Sequence, residues 1–207
     1  MGRPTNPLLS RDMIAATALD LAAEEGAEAL TMRAIAKRMG VQGPSLYNHV
    51  SSKDDLLDAM TAIIASGVDH SPLAQEGRRA GFTEYARNYR KAFLRHHNVL
   101  PAIARRPVQT AEALRGYDRF AGALLGFGLP PAEAAEISAA LDYLILGSVL
   151  MTYTAGFTRT PEEYRPDYPA LAETLEAAEL SELDERGFEI GLTLLLDGLE
   201  LRLSRLG

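Results

Sequence analysis

Cysteine and tryptophan are both missing from the 207 residues. Without cysteine there is no disulfide framework, no thiolate metal ligand and no cysteine nucleophile, so secreted disulfide scaffolds are excluded and a reducing cytoplasm is the expected home. Long apolar runs are scarce as well. The first dozen residues, MGRPTNPLLSRD, hold no signal-peptide core, and Asn6 stands where a myristoylation motif needs Ser or Thr, so no export signal or lipid anchor is expected. The uncharged stretch between Asp142 and Arg159 is too short for a membrane span and includes Thr152, Tyr153 and Thr154, which makes it a buried helix and leaves no membrane partner. Catalytic signatures are wanting too: there is no G-x-S-x-G, no P-loop and no H-E-x-x-H, so the chain does not read as an enzyme and calls for no cofactor.

What is present is helix. Hydrophobic residues make up 47% of the chain, enough for a folded core, and no alternating β-branched run competes with helical periodicity, so the fold class is all-α. Residues 1 to 9, with Pro4 and Pro7, read as a loose arm. Ser10 caps a first helix with Ile14, Ala18, Leu21 and Ala22 inside and Gly26 as its stop. Thr31 caps a second, short helix from Met32 to Met39 that ends at Gly40, and Pro44 opens a third. Ser52 starts a fourth, which Pro72 closes. Further helices are expected from about 77 to 97, 108 to 127, Pro131 to about Ala155, 170 to 178, and Glu182 to Leu206, with a proline- and tyrosine-bearing loop from Gly156 to Pro169.

The net charge of -7 argues against a protein that merely coats nucleic acid. One stretch reverses the sign. From Ala29 to Lys53 there is no Asp or Glu, while Arg33, Lys37, Arg38 and Lys53 are positive. The reversal falls on two short helices joined by a glycine-bearing turn, the spacing that lets a second helix enter a DNA major groove. Gln42, Ser45 and Asn48 can then read base edges, with Gly43 and Pro44 allowing close approach. Thr31, Tyr47, His49 and Lys53 can hold flanking phosphates, and Arg33 adds charge beside them.

The ordered run Leu30-Thr31-Met32-Arg33-Ala34-Ile35-Ala36-Lys37-Arg38-Met39-Gly40-Val41, then Ser45-Leu46-Tyr47-Asn48-His49-Val50, then Ser52-Lys53-Asp54-Asp55-Leu56-Leu57, resembles the DNA-binding domain of the tetracycline-repressor family. The resemblance implies that Thr31, Gln42, Pro44, Ser45, Tyr47, His49 and Lys53 fall on DNA-contact positions and Leu46 on the packing face of the recognition helix. It also implies a ligand-responsive regulator, usually a repressor, that binds a palindromic operator as a homodimer. Asn48 stands where the tetracycline repressor itself has Trp, so the operator need not be the same. Residues 1-52 are then the arm and helix-turn-helix domain, and 53-207 a larger helical domain for effector binding and dimerisation.

Two half-sites can be read only if two recognition helices are held rigidly apart, so dimerisation is part of the function. Ile137, Leu141, Leu144, Ser148 and Met151 recur at steps of four and three, as do Phe188, Leu192, Leu195, Leu199 and Leu206, and two such helices per chain can build a four-helix interface. The alternative is that both stripes belong to the core of one chain. The last segment, Phe188-Glu189-Ile190-Gly191 through Leu196-Asp197-Gly198-Leu199-Glu200, resembles the family's C-terminal helix.

Aromatic residues crowd the middle helices, as around an apolar cavity with a few polar tips. Tyr85, Tyr89, Phe93, Tyr117, Phe120 and Tyr143, with Met151, are the candidate contacts for a small-molecule effector, although core packing would use many of the same rings. The resemblance places Ala102 and Met151 where the tetracycline repressor has the histidine and glutamate that help hold its metal-bound drug, so no metal site is expected. His96 and His97 are adjacent and diverge on a helix, a poor pair of metal ligands. The basic run from Arg78 to Arg106 sets eight Arg or Lys against Glu84 alone. A solvent-exposed face is the default for it; beyond that, it could pair with the acidic C-terminal third, face DNA, or attract an anionic effector. A purely structural helical oligomer is the remaining alternative.

Overall fold

A computed structural model describes residues 9 to 74 and 77 to 206. The arm expected at residues 1 to 8 lies outside them. All the regular structure among the described residues is helical: α1 Arg11–Glu25, α2 Met32–Met39, α3 Gly43–Tyr47, α4 Lys53–Ser66, α5 Arg78–Leu94, α6 Leu100–Ile103, α7 Ala111–Gly126, α8 Pro131–Leu150, α9 Pro161–Tyr164, α10 Pro169–Ala177 and α11 Leu180–Leu203.

The helix starts follow local chemistry. Ser10, Thr31, Ser52 and Thr110 each accept a bond from the backbone N–H three residues on, satisfying one of the amides that a helix N-terminus leaves open. Gly40 stops α2 at φ 67°, a left-handed conformation that costs glycine little. Three boundaries differ from expectation. Gly67, not Pro72, caps α4, and Pro72 sits in the following turn of 3-10 helix. Met151 leaves helical geometry at φ -120° and ψ 127°, so α8 stops at Leu150 rather than near Ala155. The loop after Gly156 contains α9, whose start is a capping box between Thr160 and Glu163.

The first three helices form a small head at one end. Leu46 and Val50 are fully buried and, with Ile14, Ala18 and Ile35, give that head its core. Next to it, α4 serves as a shared wall, packed on α1 toward the head and on α6 and α7 toward the larger body. The body is built mainly from α5, α7, α8 and α11, with α5 against both α8 and α11. Gly191 lies where α11 crosses α8; a Cβ there would come within 2.7 Å of Leu144 Cδ1, so a larger residue would make that leucine side chain shift. Helices α9 and α10 pack chiefly on each other, and their buried Ala172 and Leu175 lie outside the main core.

Half of the basic run finds acidic partners within the chain, namely Arg79, Arg87, Arg90 and Arg106. Arg79 pairs with Asp197 at 2.7 Å and Glu200 at 2.9 Å, Arg87 with Glu189 at 2.6 Å, and Arg90 with Glu185, all on α11. Arg90 also stacks its guanidinium over the Phe188 ring at 4.5 Å. These ion pairs hold α5 against α11, which is the first of the three roles open to that run.

The proposed interface stripe requires a correction. Leu141, Phe188, Leu192 and Leu199 are buried in the protomer's own core. Ile137, Leu144 and Leu195 are half-buried against the same core, and Ser148 accepts a bond from Arg90 at 3.0 Å. The reason is geometric: α8 and α11 are apolar on two faces, and steps of three and four recur on both. The outward faces carry Tyr143 and Leu150 on α8, and Ile190, Leu194 and Leu201 on α11, all exposed.

Candidate DNA-reading surface and effector cavity

The head presents the predicted contact residues outward. Leu46 plugs α3 into the head core, so the neighbouring positions on this short helix must face away from it. Tyr47 is 55% exposed, and Gln42, Pro44, Asn48, His49, Thr31, Arg33 and Lys53 are exposed with it, while Gly43 and Ser45 are partly covered. Gln42 occupies the N-cap position of α3 yet makes no side-chain cap bond, leaving its amide directed to the surroundings. The Thr31 hydroxyl accepts from Ala34 N at 3.1 Å and so is engaged in holding α2.

Charge on this face is lower than the sequence count suggests, because Arg38 reaches back to Glu24 on α1 at 2.5 Å. That contact holds the Glu24 carboxyl below its ordinary range, chiefly through the hydrogen bond from Arg38. Among the described residues Arg33, Lys37 and Lys53 enter no ion pair, so three positive charges remain for an external polyanion. The head is fixed to the wall helix by Asp55, which accepts from Ser51 N at 2.8 Å and Arg11 Nε at 2.9 Å. The Ser51 amide is the main reason its carboxyl is held below the ordinary value, against the opposing effect of burial.

A second site lies inside the body. Residues from α4, α5, α6, α7 and α8 surround a cavity of about 960 Å³, counted out to its open mouth. Tyr85, Tyr89, Phe93, Tyr117 and Phe120 line it, as expected from the sequence. Four of these rings form one connected cluster: Tyr85 stacks on Phe120 at 5.2 Å, and Tyr89 meets Tyr85 at 6.0 Å and Phe93 at 5.1 Å. Tyr143 and Met151 do not line it. They are 77% and 74% exposed, since Tyr143 follows Asp142 by a single residue and points about 100° away around the helix, and Met151 lies past the end of α8. Phe82 and Phe127 pack beside Arg78 in a separate groove.

The polar groups of the cavity were not foreseen. Asp142 accepts from the Tyr89 hydroxyl at 2.9 Å through Oδ1 and from the Tyr117 hydroxyl through Oδ2. Burial pushes its carboxyl above the ordinary value, while the two tyrosines act in the opposite direction. Burial likewise raises the Tyr85, Tyr89 and Tyr117 hydroxyls, so these stay protonated donors. His70 is lowered by burial and then by Arg119. A signal for Asp142 does exist in the sequence: it is the sole charged residue between Glu136 and Arg159. The partnership with two tyrosines, 53 and 25 positions away, carries no such signal.

Arg106 connects the two sites. It lines the cavity, and its guanidinium donates to Asp54 Oδ1 at 2.6 Å, Asp58 Oδ1 at 2.9 Å and the Asp54 carbonyl at 3.2 Å, all on the first half of α4. Arg106 thus ties the cavity wall to the helix that begins at Lys53, beside the exposed face of the head. No cluster of three or more metal-ligating side chains occurs among the described residues, and none of their helices is long and apolar enough to cross a membrane.

Comparison with known proteins agrees with this layout. Residues 14–60 match the profile of the family described as "Bacterial regulatory proteins, tetR family", and residues 71–203 match "Tetracyclin repressor-like, C-terminal domain". The chain is 32% identical to the class D tetracycline repressor protein of Escherichia coli, over 96% of this chain and 92% of that one. A possible TetR family transcriptional regulator from Streptomyces coelicolor A3(2) superposes with a TM-score of 0.80 at 31% identity, over 93% of this chain and 99% of the other. The ActR protein of the same organism, solved in complex with (S)-DNPA, superposes with a TM-score of 0.73 at 25% identity, covering 96% and 99%.

Proposed function

The chain belongs to the tetR family of bacterial regulatory proteins, and from that premise we propose which of its surfaces do the family's work. It is a DNA-binding transcriptional regulator that responds to a small molecule, not an enzyme. Residues 1-52 form the DNA-binding domain and 53-207 the effector-binding and dimerisation domain, with α4 joining them. The exposed set Gln42, Gly43, Pro44, Ser45 and Asn48 reads base edges in the major groove. Thr31, Arg33, Tyr47, His49 and Lys53 fix the register on phosphates.

Two protomers pair through the outward faces of α8 and α11, where Tyr143, Leu150, Ile190, Leu194 and Leu201 leave a large apolar surface bare in the single chain. The protein acts in the cytoplasm, where its operator is. Effector binding in the aromatic cavity shifts the Arg106 contact with α4, which turns the two heads out of step with successive half-sites and releases the DNA.

The observation that carries this reading is the pairing of an outward-facing short helix, beside the cations Arg33, Lys37 and Lys53 that are unpaired among the described residues, with an aromatic cavity that touches the same wall helix. The test is a gel-shift titration of the full chain against DNA from its own upstream region. A specific, two-to-one complex that a cavity-bound compound dissolves is the expected result. Binding to no sequence after selection from a random pool at low salt would leave only a structural oligomer.

A further inference from the structure

The effector reading leaves the chemistry of the effector open, and the cavity's charge pattern narrows it. Asp142 is the one acid in the wall that lacks a cationic partner among the described residues: Asp58 is held by Arg106 and Glu112 by Arg115 at 2.7 Å. Arg106 in the cavity wall and Arg90 of α5 beside it are engaged elsewhere. Arg106 faces Asp54 and Asp58, Arg90 binds Glu185 and Ser148, and the imidazole of His70 is disfavoured as a cation by burial and Arg119.

Both oxygens of Asp142 already accept one tyrosine hydroxyl, but a carboxylate offers about four lone-pair sites, so each oxygen can take a further donor. Tyr85, Phe93 and Phe120 give the cavity aromatic walls, with Tyr85 and Phe120 stacked on each other at 5.2 Å, and such walls beside a carboxylate favour a flat aromatic body that carries positive charge. An anion would meet a buried carboxylate with no compensating cation.

We propose that the cavity is built for a planar aromatic cation that carries N–H donors, with the ring system against Tyr85, Phe93 and Phe120 and an N–H group on Asp142 between Tyr89 and Tyr117. The assignment rests on the effector reading of this cavity and makes Asp142 the residue that selects charge.

The test is calorimetric titration of the full chain, without DNA, against three compounds of one shape: cationic 9-aminoacridine, uncharged acridine and anionic acridine-9-carboxylate. The expected order is cation over neutral by about tenfold or more, the size of one charge-assisted hydrogen bond, with the anion weakest. Asp142→Asn should erase the advantage of the cation over acridine, and Tyr117→Phe, which keeps the carboxylate, should retain it. Thermal melting of both variants checks that the body stays folded. Equal or weaker binding of the cation, no binding of it at all, or a cation preference that survives in Asp142→Asn would each overturn the proposal.

A separate arm keeps the two readings apart. Release of operator by a neutral or anionic aromatic compound that does not itself bind DNA, with no binding of 9-aminoacridine, would overturn the charge assignment and leave the regulator reading standing. An Asp142-dependent cation preference in a protein that no cavity-bound compound detaches from DNA would support the assignment and sink the effector reading.

Discussion

Tyr47, exposed on the five-residue helix α3, and Tyr85, buried on the seventeen-residue helix α5, are both candidate contact residues, and they reach their partners by opposite means. In the head, the working side chains sit within about twenty residues of one another in sequence and point outward because one neighbour, Leu46, points in. In the body, the working side chains come from five helices and point inward, and their positions are set by packing between distant segments. A surface reader can be assembled by local rules of capping and turn. A cavity is what remains after the helices have packed.

The contrast between inward and outward faces can be broken most severely on α11. Leu192→Glu would place an unpaired charge in the core, at a cost of several kcal/mol that approaches the whole stability of a domain, and should leave the chain unfolded by circular dichroism. Leu194→Glu, at a site 66% exposed in the protomer, should stay helical and sediment as a monomer. A folded Leu192→Glu protein, or a dimeric Leu194→Glu protein, would show that the faces have been assigned the wrong way round.

Next in size is Leu46→Ala. Because this fully buried side chain anchors a helix too short to stand alone, its loss should destabilise the head by about 2–5 kcal/mol in urea titration and abolish operator binding. Retained operator affinity would mean that α3 is held by something other than its plug.

Smaller effects separate reading from holding within the head. Gln42→Ala should cost about 1–3 kcal/mol and relax preference at a single operator position, as measured by selection from a randomised site. Lys53→Ala should weaken binding to all sequences alike and reduce the salt slope by about 1. An unchanged selected site for the first, or an unchanged slope for the second, would remove that residue from its role.

The smallest effect sharpens the junction between the halves. Asp55 titrates below its ordinary value of 3.8 in the folded chain, so its contribution to stability is complete above the ordinary carboxylate range and disappears as the pH falls through the lowered value. Asp55→Asn should therefore lower stability by about 1 kcal/mol at neutral pH and make no difference in strong acid, as read by denaturant midpoints at the two pH values. Equal losses at both would point to packing rather than charge.

Most of the head was legible in the sequence. Ser10, Thr31 and Ser52 cap the helices they were expected to cap, and Gly40 provides the left-handed stop, because each of these effects is decided within about four residues. The charge reversal from Ala29 to Lys53 was also visible, apart from the loss of Arg38 to Glu24, a contact across 14 positions. In the body the helices were found but not their orientation. The periodicity of α8 and α11 holds for two faces, so Leu192 and Leu194 could not be told apart until α5 was placed against one of them. Tyr143 was grouped with the cavity aromatics for the same reason.

The order of amino acids alone therefore determined the helical class, the caps, and the outward display of the candidate DNA-contact residues, since these depend on short-range hydrogen bonding and on which single residue a short helix buries. Only the tertiary structure decided which face of each long helix meets its own chain, where Arg106 spends its charge, and that Asp142 lies between two tyrosines in an aromatic cavity. Those outcomes depend on the packing of segments tens of residues apart, and helical spacing repeats identically on every face that could have been chosen.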